Sequence, residues 1–164
     1  RRTLQALDVS EVVRQAVNLC AWEARERQVT IEQELPAILP LVYADRVLLE
    51  QVLLNLLRNA IDANCEQQPG QPSHIHISVQ VVRAGGLSIS VEDQGPGVTA
   101  EQFEQLFTPF YTSKAEGLGL GLSMSRSIIE GLGGELDAEP QPDGLRMCCR
   151  LPLMTVTPQQ EESN

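Results

Sequence analysis

Three stretches of this sequence bring together residue types that can hold a charged ligand. The first is "VEDQGPGV" (91–98), where an alternating run, "LSISV", passes straight into acidic residues and then into Gly95 and Gly97. Asp-x-Gly and Pro-Gly are ordinary turn chemistry, so a strand-ending turn explains the octapeptide as well as a ligand site does. The second is a set of polar residues, Gln51, Asn55, Arg58, Asn59, Asp62 and Glu66, whose spacing places them on one stripe of a helix otherwise made of Val, Leu and Ile. A solvated helix face gives the same pattern, yet Asn is a weaker helix former than Lys or Glu and competes for backbone hydrogen bonds. Its carbonyl oxygen is a neutral hard ligand that can coordinate Mg²⁺ without adding negative charge beside a triphosphate, which gives a reason for Asn59. The third is "GLGLGLS" (117–123), glycines leading into a helix. Backbone N–H groups there can approach an anion closely, with the helix N-terminus adding partial positive charge. No G-K-[ST] follows and no βαβ unit flanks the run, so it is neither a Walker A nor a Rossmann motif.

The bulk properties narrow what such sites can bind. The 164 residues suit one domain with a proper core, and 42% hydrophobic content suits a globular protein. A net charge of −10 and a pI near 4.6 argue against nucleic acid as a partner, because phosphate contacts need clustered Lys and Arg. Any bound phosphate must be held by backbone N–H groups, a metal ion or isolated cations. Cys20, Cys65, Cys148 and Cys149 are few for a disulfide scaffold; they read as small buried or half-buried side chains in a reducing compartment, the adjacent pair pointing to opposite strand faces. His74 and His76 lie far from every cysteine, so no Cys/His metal spacing exists. Nothing approaches the roughly 18 apolar residues of a membrane span, and no signal peptide opens the chain. A start at Arg1 without Met suggests a fragment of a longer parent.

The elements that position these residues follow from periodicity. Residues 8–27 have a helical apolar period with Ser10 as the expected N-cap, and 45–66 form the strongest helical segment, with Asp45 as N-cap. "VTIEQEL" and "LVY" read as strands, while "HIHISVQVV" and "LSISVE", joined by "RAGG", read as a β-hairpin. A short helix over 99–107 starts at Thr99, residues 111–119 read as an irregular loop, and a helix over 120–132 stops at Gly133-Gly134. "ELDAE" and "LRMCCRLPL" form two final strands around "PQPDG". The expected division is residues 1–7 as the end of an upstream linker, 8–153 as the domain, and 154–164 as a disordered polar tail.

With these elements in place, "LLNLLRNAIDA" (53–63), "DQGPG" (93–97), "FTPFYTSK" (107–114) and "GLGLGLS" (117–123) occur in an order that resembles the N, G1, F and G2 boxes of the GHKL ATP-binding superfamily. The version here is most similar to the catalytic domain of bacterial sensor histidine kinases of the nitrogen-sensor and dicarboxylate-sensor type. The resemblance implies a Bergerat fold, an α/β two-layer sandwich with a mixed sheet of about five strands and three main helices on one face. It also implies ATP and Mg²⁺ as cofactors. Asp93 would accept a hydrogen bond from the adenine amine, with Gly95 and Gly97 letting the backbone lie close to the base. Asn59 would hold Mg²⁺, Asn55 would help position the phosphates, and Lys114 would reach them as a mobile cation. Gly117, Gly119 and Gly121 would let a lid close, while Phe107, Phe110 and Tyr111 would anchor it by packing. Asp62, Val98, Phe107, Thr112, Ser113, Leu118, Leu120 and Leu122 complete the implied nucleotide-binding set.

Departures from the pattern refine the activity. Gyrase-type and chaperone-type members carry a water-activating Glu where this chain has Asn55, and an amide is no general base at neutral pH, so hydrolysis by that route is disfavoured. Transfer to a side chain from another domain fits better, because positioning and electrostatics dominate phosphoryl transfer. Asp62 stands where many sensor kinases have Lys, Arg or Tyr, and Arg58 is the expected neutralising partner. Glu50 and Glu92 are poorly placed for catalysis, and His74 and His76 belong to the solvent face of a strand rather than to a phosphoacceptor helix. The expected activity is therefore histidine kinase, with the receiving histidine on an upstream dimerisation domain and a response regulator downstream. The expected setting is the cytoplasm, with a homodimeric parent and a monomeric fragment. A nucleotide-binding pseudokinase, or a serine kinase or ATPase of the same superfamily, is the alternative.

Overall fold

The structure is a computed structural model that describes residues 3–82, 85–111 and 121–154. The chain runs β1 (Leu4–Leu7), α1 (Val9–Glu26), β2 (Val29–Glu34), β3 (Val42–Asp45), α2 (Arg46–Gln67), β4 (Ser73–Val82), β5 (Gly86–Glu92), α3 (Ala100–Gln105), α4 (Gly121–Gly131), β6 (Glu135–Gln141) and β7 (Gly144–Pro152). Five strands form a mixed sheet in the order β2-β4-β5-β7-β6, in which β2 and β4 are parallel and the other pairs antiparallel. A parallel pair needs a long crossover, and β3 with α2 supplies it. A separate two-stranded sheet pairs β1 with β3. The result is a two-layer α/β sandwich, as the pattern of elements implies.

Strand alternation sorts the two faces. Ile75, Ile77 and Val79 of β4, Leu87, Ile89 and Val91 of β5, and Cys149 and Leu151 of β7 are buried on the inner face. Over them lie Leu49, Val52, Leu53, Leu56, Leu57 and Ile61 of α2, the buried valines of α1, and Ile129 of α4. Each fully buried Leu or Ile contributes about 2 kcal/mol relative to exposure. The outer face carries charges in cross-strand pairs. Arg150 bridges Asp137 at 2.9 Å and Glu135 at 3.2 Å, and Glu32 and Glu34 of β2 face His74 and His76 of β4. The adjacent cysteines do part company: Cys148 lies on the outer face with its Sγ 3.6 Å from Ser90 Oγ, whereas burial of Cys149 in the core pushes its thiol up to about 12.

Capping shows one difference from the sequence expectation. Asp45 caps α2 as expected, accepting from Leu48 N at 3.0 Å, and Thr3 N donates to its other oxygen at 2.7 Å; both bonds hold its carboxyl below the usual range. For α1 the cap is Asp8, which accepts from Ser10 N at 3.0 Å, while Ser10 itself is buried in the first turn. Asp and Ser are equally good caps, and the register was decided by which one leaves Val9, Val12 and Val13 facing the core. Strand β1 was not expected; residues 4–7 pair with β3 in the stretch read as linker. Residues 155–164, read as a tail, lie outside the described residues.

Candidate functional site

Strand β5 ends at Glu92, and the next residue carries the site's key carboxylate. Asp93 extends the ladder to β7 by donating its N–H to Leu145 O at 3.0 Å. Its Oδ1 accepts from Leu145 N at 3.1 Å and from Gly95 N at 2.9 Å, whereas Oδ2 has no hydrogen bond among the described residues. Burial raises the Asp93 pKa above its ordinary value of 3.8, and the bonds from Gly95 and Leu145 oppose that shift. This is a carboxylate held by backbone dipoles, with one oxygen left to accept from a ligand.

The glycines around Asp93 are fixed by close packing and by backbone conformation. A Cβ at Gly95 would stand 2.5 Å from Ala63 Cβ and 2.9 Å from its carbonyl, so the missing side chain lets the loop lie directly on α2. Gly97 adopts φ +73°, a left-handed conformation that disfavours a side chain. Gly144, which the sequence showed only as the end of a turn, backs the carboxylate: a Cβ there would fall 2.2 Å from Asp93 O and 2.8 Å from Oδ1. Asn64 was also missed. It is fully buried, in a helix whose polar residues were otherwise expected on the open stripe.

That stripe lies on the accessible side of α2, with Asn55, Asn59 and Asp62 half-buried. Asn55 Nδ2 donates to Ser125 Oγ of α4 at 3.2 Å, and a Cβ on Gly121 would come within 3.0 Å of the Asn55 amide. Asn55 therefore joins α2 to the first turn of α4. The expected Arg58–Asp62 pairing is corrected: Arg58 bonds Glu23 of α1 at 2.9 Å, and Asp62 is met by Arg27 at 2.6 Å. An i,i+4 pair is within reach on one helix, but Glu23 of α1 and Arg27, its C-cap, meet the two side chains from the neighbouring helix instead.

Phe107 packs against the core, with the Arg126 guanidinium 4.5 Å from its ring centroid; Arg126 Nε is 3.3 Å from Glu130 Oε2. Such a stack is worth about 0.5–1 kcal/mol where exposed. Tyr111 is half-buried, but Phe110 is 75% exposed with φ +69°, so it is not the packing anchor expected of it. Val98 and Leu122 are half-buried, Leu122 against the core. Thr112, Ser113, Lys114, Gly117, Leu118, Gly119 and Leu120 lie outside the described residues.

The donor set bears on both cofactors. Asp93, with a spare acceptor oxygen and no cation on it among the described residues, suits an amine-bearing base. Among the described residues no group of three or more His, Cys, Asp or Glu could hold a metal ion. Asn59, half-buried on the stripe, offers a neutral carbonyl oxygen of the hard kind that Mg²⁺ accepts. Glu92 is spoken for by Arg146, whose Nε donates to it at 2.6 Å, and His74 and His76 face outward against Glu32 and Glu34, as expected of a solvent face.

Comparisons with known proteins agree with this geometry. Residues 44–155 match the family described as Histidine kinase-, DNA gyrase B-, and HSP90-like ATPase. The chain is 41% identical to the C4-dicarboxylate transport sensor protein DctS of Rhodobacter capsulatus over 142 residues, which are 86% of this chain and 21% of DctS, so it spans about a fifth of that relative. Its fold is similar to the nucleotide-free catalytic domain of histidine kinase ThkA, with TM-score 0.82 and 31% identity, covering 92% of this chain and 96% of that one. It is also similar to ThkA in complex with the response regulator protein TrrA, with TM-score 0.78 and 29% identity, covering 92% and 42%.

Proposed function

The chain belongs to the histidine kinase-, DNA gyrase B- and HSP90-like ATPase family, as a sensor-histidine-kinase catalytic domain, and from that premise we propose how it works. It binds Mg·ATP between α2, the 93–98 loop and the start of α4, and presents the γ-phosphoryl group to a histidine on another domain of a longer protein. Asp93 is the observation that carries this reading, because its Oδ1 is fixed by two backbone N–H groups while Oδ2 remains to accept from the adenine amine. An ionised acceptor makes that bond stronger than a neutral one.

On the phosphate side Asn59 contributes its carbonyl oxygen to Mg²⁺, Asn55 orients the phosphates, and Lys114 supplies a cation. Mg²⁺ neutralises charge on the phosphate oxygens when bound. Asn55 has no proton-accepting capacity at neutral pH, and its bond to Ser125 holds the amide in place, so the domain positions ATP for transfer rather than activating water. The phosphoacceptor domain, a homodimeric parent, a response regulator as the next recipient and a cytoplasmic setting belong to the same proposal. Among the described residues no helix is long and apolar enough to cross a membrane.

Mixing the chain with a separately expressed phosphoacceptor domain and γ-labelled ATP tests the reading. Phosphohistidine should form with wild type and Mg²⁺ and be lost in Asn59→Ala, which keeps part of its metal-free nucleotide binding. Vigorous ATP hydrolysis by the chain on its own would instead favour an ATPase.

A further inference from the structure

Asn64 is an unusual residue for its place. It lies on α2 fully buried among Ile61, Ala60 and Leu57, where an amide is a weak helix former and any unpaired polar atom is costly. All of its main bonding capacity is used, and by other elements. Nδ2 donates to Ser73 Oγ and to His74 O, both at 2.9 Å, at the start of β4. Oδ1 accepts from Gln94 N at 2.7 Å, in the loop that follows β5. Gln94 is gripped a second time, since its Oε1 accepts from His74 N at 2.8 Å. One residue earlier on the helix, Ala63 forms the floor on which Gly95 rests.

Asp93 is therefore clamped from two sides. The β6–β7 turn holds it through Leu145 N, Leu145 O and the bare Cα of Gly144. The α2 side holds its neighbours, Gln94 through Asn64 and Gly95 through Ala63. A carboxylate that must leave one oxygen for a ligand cannot be fixed through that oxygen, so its orientation has to come from the backbone on either side.

We propose that Asn64 is a positioning residue for base recognition, holding Gln94 so that the adjacent Asp93 carboxylate keeps its spare oxygen directed to an adenine amine. This rests on the reading of Asp93 as the amine's acceptor. Two of its bonds tie α2 to the start of β4, and the third, from Gln94 N, is the one that reaches the loop beside Asp93.

The test compares ATP with purine riboside triphosphate, which lacks the amine but carries identical phosphates, by calorimetry. The ratio of the two affinities cancels any general loss of folded protein and any change in charge near the phosphates. Wild type should prefer ATP by some tens-fold, the size of one hydrogen bond to a charged acceptor, and Asn64→Ala should lower that preference by about tenfold. Asn64→Asp keeps an oxygen for Gln94 N and should restore most of the preference even where stability falls. Ser73→Ala removes a partner of Asn64 away from the loop and should leave the ratio unchanged. If Asn64→Ala does not fold, Asn64→Ser, whose hydroxyl is too short to span to Gln94, carries the same measurement. An undiminished ratio in the folded Ala or Ser variant overturns the role of Asn64. A wild type with no preference overturns the reading of Asp93 itself.

Discussion

Glu92 and Asp93 are neighbours at the end of β5, and the fold treats them in opposite ways. Glu92 points to the outer face and is neutralised by Arg146, which also reaches Glu139 at 3.2 Å. Asp93 points to the helix side and receives two backbone N–H groups on one oxygen, with no cationic partner among the described residues. A structural carboxylate is satisfied within the protein. One kept partly unsatisfied, at a cost in desolvation, is available to a ligand. The contrast separates scaffold from site more sharply than residue type does.

The most direct way to break the contrast is Asp93→Asn. The amide can still accept from Gly95 N and Leu145 N, but it turns a donor toward the adenine amine, so ATP affinity should fall by about 2 kcal/mol or more while folding is retained. Calorimetry and thermal unfolding of the same sample check both halves, and unchanged ATP affinity would exclude the adenine assignment. Gly144→Ala comes next. Its Cβ cannot coexist with Asp93 O at 2.2 Å, so backbone must move, at a stability cost of roughly 1–3 kcal/mol, and ATP binding should weaken with it. Denaturant unfolding at wild-type midpoint would show that the turn does not back the carboxylate.

The pH dependence sharpens the comparison. The folded-state pKa of Asp93 lies above 3.8 because of burial, so the fold favours its protonated form. Its contribution to stability is fully present below 3.8 and is lost as pH rises through the raised value. Unfolding curves for wild type and Asp93→Asn should therefore diverge in favour of the variant over that window, and ATP affinity of wild type should decline as pH falls through it. Parallel curves would mean that the carboxylate is not desolvated. The smallest effect belongs to Glu92→Gln. An ion pair about one-third exposed is worth less than about 1 kcal/mol and is screened by salt, so stability should drop slightly, less so at high salt, with ATP affinity unchanged.

Much of the framework was legible because it depends on local patterns. The apolar period of α2, the Asp45 cap, the alternation in β4 and β5, and the end of β5 just before Asp93 each declare themselves within a few residues. Strand β1 did not, since its burial pattern has one buried residue in four and its pairing depends on β3, from 35 residues away at Leu7↔Val42 to 41 at Leu4↔Asp45. The charge partners of Asp62 and Arg58 were hidden for the same reason, as each lies 35 residues away on α1 or just beyond its end.

What the sequence by itself determined was the order of the elements from α1 onward and the residue types along the polar stripe of α2. Those properties reside in side-chain type and in periods of 2 and 3.6 residues, which need no knowledge of what packs against what. What the tertiary structure decided was the use of each residue: that Gly95 makes room for α2, that Gly144 backs Asp93, that Asn55 reaches α4, and that Asn64 holds the loop. A glycine is permissive and an amide both donates and accepts, so neither specifies its partner. The contacts that choose for them join residues 30 apart for Asn64 and Gln94, 52 apart for Asp93 and Leu145, and 70 apart for Asn55 and Ser125, and they exist only once the sheet register and helix packing have brought those segments together.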